Sequence, residues 1–188
     1  LPFLLLVAGC GGSSDTPPDA DIGGDSGFPG DEFEPWAGGP DYYKKWPAGP
    51  SSDPSFFPIA VWLQAPIPNG DAYKAIGINM FVEMSWGGLD AANLDAVAAD
   101  GMLASHGQES GYAAFLDRAP LIAWNHQDEP DNAQPMSGGG YGPCIMPPEI
   151  ATRSAAMRVN DATRPLYLNL SRGVADENWI GRGNECGG

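Results

Sequence analysis

From Pro58 to Ser171 short apolar runs alternate with stretches of helical spacing, one strand-plus-helix step about every 25 residues. This alternation limits the fold more than any other feature, because strands linked through helices pair in parallel. The expected strands are Ile59 to Gln64, Ile78 to Met84, Met102 to Ser105, the start of Leu121 to Asn132, and Leu166 to Leu170. Their near-continuous apolar character suits strands covered on both faces. Between them, Asp71 is expected to cap a short helix bearing Tyr73, Ile76 and Gly77 on one side. Ala91, Leu94, Val97 and Ala98 mark a helix over Leu89 to Asp100, closed by Gly101. Tyr112 to Arg118 reads as helical up to Pro120. A last helix starts at Pro148, with Glu149 at its positive end and Ile150, Ser154 and Met157 facing inward.

In alternating folds of this kind, sites are built past the C-terminal ends of the strands. Leu121 to Asn132, LIAWNHQDEPDN, is therefore the most informative stretch: a buried strand whose exit delivers Asp128 and Glu129 into a loop. Pro130 cannot extend a ladder and is expected to hold Glu129 extended. The second strand leaves through Glu83, Ser85 and Trp86, and the fifth through Asn169 and Ser171. Asp131 to Pro147, with Gly138, Gly139 and Gly140 in its middle, reads as a loop of a length that is uncommon unless functional.

Five such steps make about five βα units, whereas a closed (β/α)8 TIM barrel takes about 250 residues. The fold class expected is α/β, a partial (β/α)8 barrel truncated at its C-terminus. An open doubly wound sheet is the alternative, disfavoured because no Gly-rich phosphate turn follows the first strand.

Residues 1 to 10 form an apolar run, LPFLLLVAG, ending in Cys10, and Val7-Ala8-Gly9-Cys10 resembles a bacterial lipobox. That resemblance implies export and a lipid anchor at Cys10, holding the chain to the membrane of the cell envelope or cell surface. Residues 11 to 57 follow as an acidic Gly/Pro-rich tether and an aromatic lead-in with Tyr42, Tyr43, Trp46, Phe56 and Phe57, and residues 58 to 188 carry the folded part. The formal net charge is −15, and eight of the 24 acids precede the first basic residue, Lys44. This balance excludes nucleic acid as a partner, which is bound through clustered Lys and Arg. With Cys10 lipidated, Cys144 and Cys186 are candidates for a disulfide in an oxidising compartment, unpaired thiols being the alternative.

Gly77-Ile78-Asn79 before the second strand, Trp124 through Pro130 at the fourth, and Asp161-Ala162-Thr163-Arg164-Pro165 before the fifth together resemble the clan A glycoside hydrolases, which are (β/α)8 barrels. The resemblance implies carboxylate acid/base catalysis on an extracellular poly- or oligosaccharide, with Glu129 as the acid/base. Asp128 stands where that clan carries an Asn, and its negative charge beside Glu129 favours the protonated form of one of the two. The clan's second carboxyl lies on a seventh strand, so this chain by itself is expected to be inactive. Sugar binding is expected from Trp86, Gln64, Glu83, Asn125, Gln127 and Asn169, with Trp124 packing in the core and Trp179 a further aromatic candidate.

No cofactor and no metal are expected. His106 and His126 are the only histidines, lie on different strands, and no HExxH or Cys/His cluster accompanies them. His126 is expected as a hydrogen-bonded core or rim residue, and strand alternation does not require it to face the same way as Glu129. No G-x-S-x-G elbow supports a serine triad. The competing reading is a non-catalytic surface lipoprotein that binds glycans or a protein partner through the same rim.

Overall fold

The computed structural model describes residues 39–84 and 88–186. The lipobox with Cys10, most of the tether, and Trp86 lie outside the described residues.

Five strands form one parallel sheet: β1 (Ala60–Trp62), β2 (Met80–Val82), β3 (Leu103–Gly107), β4 (Leu121–Asn125) and, later in the chain, β7 (Leu166–Tyr167). Their order in space is β1-β2-β3-β4-β7. Each strand lies beside its predecessor in that parallel series, so the order never reverses as it would at the crevice of a doubly wound sheet. The crossovers carry α1 (Pro66–Ala75), α2 (Ala91–Ala99), a short 3-10 helix (Tyr112–Phe115) and α3 (Pro147–Asn160).

Local chemistry sets these boundaries. Asp90 caps α2 by accepting the Asn93 N–H at 2.8 Å, and Gly101 closes it with a φ of +63°. Pro147 opens α3, one residue earlier than expected, with Glu149 in its first turn and Arg158 in its last. Two expectations fail. α1 begins at Pro66 without a side-chain cap and is interrupted at Ile67 and Pro68, whose backbones are not helical, so Asp71 lies within the regular turns that follow rather than capping the helix. Tyr112 to Arg118 shortens to one 3-10 turn, which Gly111 enters with a φ of +89°.

The expected long loop is also partly ordered. β5 (Ala133–Pro135) pairs antiparallel with β6 (Tyr141–Cys144). Gly139 and Gly140, at φ +86° and +76°, supply the left-handed turn between them. The Cys144–Cys186 disulfide, with a Cα–Cα distance of 5.1 Å, ties this hairpin to the C-terminal segment.

Strand alternation separates the sheet's two faces. Phe81, Ala104 and Trp124 join Met84, Leu94, Val97, Met102 and Leu121 in the buried cluster on the helix side. Tyr73 packs edge-on against Phe81, and Tyr112 edge-on against Trp124. At the base of β7 this core meets a buried polar clamp. Asp161 accepts Trp124 Nε1–H at 2.7 Å and Arg164 Nη1–H at 2.9 Å on one oxygen, and the Thr163 N–H at 2.8 Å and its hydroxyl at 2.6 Å on the other. Arg164 also donates to the carbonyls of Leu121 and Leu116, binding β4 and the preceding turn to the entry of β7.

Burial pushes the Asp161 carboxyl up, but the bonds from Thr163, Trp124 and Arg164 outweigh it and hold the carboxyl at about 2. A carboxyl held below its unfolded value stabilises the fold above that value, and the stabilisation is lost as pH falls toward the folded one. The shift corresponds to about 2 kcal/mol. In urea unfolding, the protein is expected to lose this stability between about pH 4 and pH 2. Asp161→Asn, which strands Arg164 in the interior, is expected to cost about 3 kcal/mol at neutral pH and to flatten that part of the profile.

Candidate functional site

The opposite face of the sheet and the C-terminal strand ends enclose a cleft of about 510 Å³. Trp62 and Val82, paired in register, and Asn125 and Tyr167, likewise paired, line it from the strands. Glu83, His126, Asp128, Glu129 and Asn169 line it from the strand exits, and Arg182 closes it from the C-terminal segment. Trp62 is 52% exposed and Tyr167 49%, so both offer open aromatic surface.

Glu83 and Glu129 have left-handed backbones, with φ of +52° and +40°. For non-glycine residues this region costs about 1–2 kcal/mol, and it persists only where the surroundings over-determine it. They do so here. The Glu83 N–H extends the ladder to the Ser105 carbonyl at 3.0 Å, and its side-chain Oε1 accepts Asn125 Nδ2–H at 2.8 Å. Its other oxygen lies 3.7 Å from His106 Nδ1. The Glu129 N–H donates to the Asn169 carbonyl at 3.1 Å, and its carbonyl accepts from Gln134 Nε2 and from the Asn132 N–H, both at 2.9 Å. The expectation of an extended Glu129 before Pro130 is therefore wrong, because these three bonds outweigh the local preference of a residue preceding proline.

The Glu129 side chain is held as firmly. Oε2 accepts from Arg182 Nη2 at 2.6 Å and from Asn132 Nδ2 at 2.9 Å. Asn132 Oδ1 in turn accepts the Arg182 N–H at 3.1 Å. The disulfide at Cys186 anchors the turn that carries Arg182, so a covalent bond outside the cleft positions the one cation within it among the described residues. Asp128 accepts Asn169 Nδ2–H at 2.7 Å.

Of the expected site residues, Glu83, Asn125, Asp128, Glu129 and Asn169 thus share one cleft. Gln64 does not reach it and instead accepts the Tyr73 hydroxyl proton at 3.0 Å. Gln127 faces away, accepting from Arg153 at 2.8 Å and donating to Gln134. Trp124 is in the core, as expected, and Trp179 lines a separate apolar groove of about 700 Å³ beside α3. Trp62, Tyr167 and Arg182 are cleft residues that motif reading does not select, whereas His126 is the buried rim residue expected. Trp62 and Tyr167 had a signal, since Tyr167 lies two residues before Asn169 and Trp62 two residues before Gln64, in phase with a polar residue at the end of each run. Arg182 had none, because it sits in an irregular segment placed by the disulfide.

No protein-family model, curated protein or solved structure matches this chain. The chemistry available to the cleft therefore rests on its own side chains: carboxylates to exchange protons or accept hydrogen bonds, amides to orient a ligand, and two aromatic faces. No group of three or more His, Cys, Asp or Glu side chains suited to a metal ion occurs among the described residues.

If the left-handed backbone at residue 83 is strained, Glu83→Gly is expected to be about 1 kcal/mol more stable than Glu83→Ala in denaturant unfolding. Equal stabilities would mean that the residue sits there without strain. Replacing both Cys144 and Cys186 by Ser is expected to lower stability by about 2–4 kcal/mol and to speed hydrogen exchange at the Arg182 amide.

Proposed function

We propose that the cleft binds glycans and that the chain is part of a glycoside hydrolase, a partial (β/α)8 barrel exported and lipid-anchored at Cys10. The observation that carries this reading is the convergence of Glu83, Asp128 and Glu129 on one cleft between the open faces of Trp62 and Tyr167. Glycoside cleavage uses two carboxyl groups, one protonating the leaving oxygen and the other acting as nucleophile or activating water. Aromatic faces with a few fixed polar groups are what a sugar ring requires for binding. The sequential strand order further supports the barrel, since a (β/α)8 sheet grows by that rule. The two left-handed acids add support, because such backbone strain concentrates at functional sites.

In this reading Glu129 is the acid/base, with Asn125, Asn169 and Asp128 orienting hydroxyls. One observation favours the second reading, glycan binding without cleavage: Glu129 Oε2 is already engaged by Arg182 and Asn132. An oligosaccharide panel separates the two, with binding followed by calorimetry and cleavage by reducing-end release. For the hydrolase, Glu129→Gln is expected to reduce turnover by about 100- to 10,000-fold while affinity changes little. Because this chain by itself is expected to be inactive, turnover is read in a full-length protein that supplies the second carboxyl; binding there with no turnover, unaffected by Glu129→Gln, would establish the binder. Absence of both would end the glycan reading.

A further inference from the structure

The parallel sheet has two free edges, since among the described residues β1 pairs only with β2 and β7 only with β4. In a parallel ladder alternate residues bond to the neighbouring strand, and those between them turn their N–H and C=O outward. The Asn79 N–H donates to the Ile59 carbonyl at 2.9 Å and the Leu63 N–H to the Val82 carbonyl at 3.0 Å, so the backbone groups of Ala60 and Trp62 point out from β1. The Pro165 and Tyr167 carbonyls accept from the Trp124 and His126 N–H groups at 3.0 and 2.8 Å, so those of Leu166 and Leu168 point out from β7.

Exposed edges are ordinarily blunted with charge. Here no charged residue lies between Asp53 and Asp71, or between Arg164 and Arg172. Both edges carry exposed apolar side chains instead, and they correspond face by face. On the cleft side Trp62 stands at one edge and Tyr167 at the other. On the helix side Phe57, 74% exposed, and Ile59 continue the phase of Val61 at the first edge. At the second, Leu168 and Leu170 line the apolar groove beside α3.

The sheet is also curled. Ala60 and Trp62 from its first strand and Tyr167 and Asn169 from its last line a single cleft, so the two edges come round toward each other. All its strands run the same way. A two-fold axis along the strand direction therefore sets β1 of one copy beside β7 of another, in parallel, at two seams at once. Such a contact closes on itself as a dimer.

We propose that two copies of this chain pair edge to edge, β1 of each against β7 of the other, and enclose their clefts between them. Phe57 and Ile59 of one copy then enter the groove at Leu168 and Leu170 of the other, and Trp62 meets Tyr167 across each seam. The dimer does not rest on the glycan reading. It gives the open side of the cleft a wall supplied by the second copy.

Sedimentation equilibrium of the 188-residue chain at micromolar concentration is expected to give twice the 19.7 kDa of one chain. Further strands of a longer chain would compete for the same edges, so the measurement uses these residues alone. Ala60→Pro removes only an outward N–H, and Leu168→Lys places a charge on the opposite edge. Each is expected to yield a monomer with the wild-type far-UV spectrum, and Ile59→Lys, which leaves the β1 backbone unchanged, to act as Ala60→Pro does. Mixed together, Ala60→Pro and Leu168→Lys chains retain one seam with both edges intact, and are expected to dimerise about tenfold more tightly than either alone. A monomeric wild-type chain overturns the proposal, as does a mass that grows past the dimer with concentration. Loss of the dimer in variants of one edge only overturns it by assigning pairing of like edges. A dimer that survives all the substitutions, or a mixture no tighter than its components, overturns it as well.

Discussion

The cleft depends on hydrogen bonds that join the exit of β4 to the exit of β7. Regular pairing between these strands ends after Asn125 and Tyr167, yet the chains stay together beyond it. The His126 N–H reaches the Tyr167 carbonyl at 2.8 Å, the Glu129 N–H the Asn169 carbonyl, and the Ser171 N–H the Asp131 carboxylate at 2.7 Å. Each bond satisfies a backbone donor that an irregular loop would otherwise leave to water. Because the bonds follow one another along the same two segments, they reinforce one another, and the acids of the DEP turn are presented in one orientation. Packing contributes less here, since Asp128 is exposed and Glu129 only half-buried.

Charged pairs in the molecule divide by burial into two kinds with different consequences. Arg164 and Asp161 are almost fully enclosed, and every strong donor of the pair's surroundings points at the carboxylate. Removing one member leaves an uncompensated charge inside, so this pair is a fixed part of the fold. Pairs such as Lys44–Asp41 and Arg153–Glu149 are exposed and contribute little. Arg182–Glu129 lies between these extremes, half-exposed and at the mouth of a cleft. Its geometry lets a ligand compete for either partner without unfolding anything, since the disulfide holds Arg182's turn independently.

The sequence made the parallel series legible because its signals are local. Apolar runs and their spacing located all five strands, and Asp90 and Gly101 bounded α2 by their side-chain and backbone preferences. Glu83, Asp128, Glu129 and Asn169 were legible for a related reason: strand exits are sequence positions, and the fold brings strand exits to one edge. What was not legible depended on contacts between distant segments. The hairpin inside the expected loop needs the register of Ala133 against Cys144. Glu129 adopts a backbone that its own neighbours disfavour, because Asn169 and Gln134 reach it from elsewhere. Gln64 and Gln127 looked suitable by type and position, but Tyr73 and Arg153 hold them outside the cleft.

The fold tolerates local cost at the strand exits. Four buried polar atoms on the sheet lack partners among the described residues: Ser105 Oγ, His106 Nε2, Asn125 Oδ1 and His126 Nε2. All belong to the C-terminal halves or immediate exits of β3 and β4, beside the left-handed Glu83. Each such atom costs about 1–3 kcal/mol if nothing satisfies it, and a left-handed acid adds a similar amount. The helix-side cluster, from Phe81 to Trp124, carries no comparable burden, because its members are apolar or, like Trp124, hydrogen-bonded. Apolar side chains at these four positions and glycine at residue 83 would have relieved the cost locally. Asp131 Oδ2 and Trp179 Nε1 are likewise buried without a partner among the described residues, so the cost falls on the strand exits and the irregular segments that follow them rather than on the helix-side core.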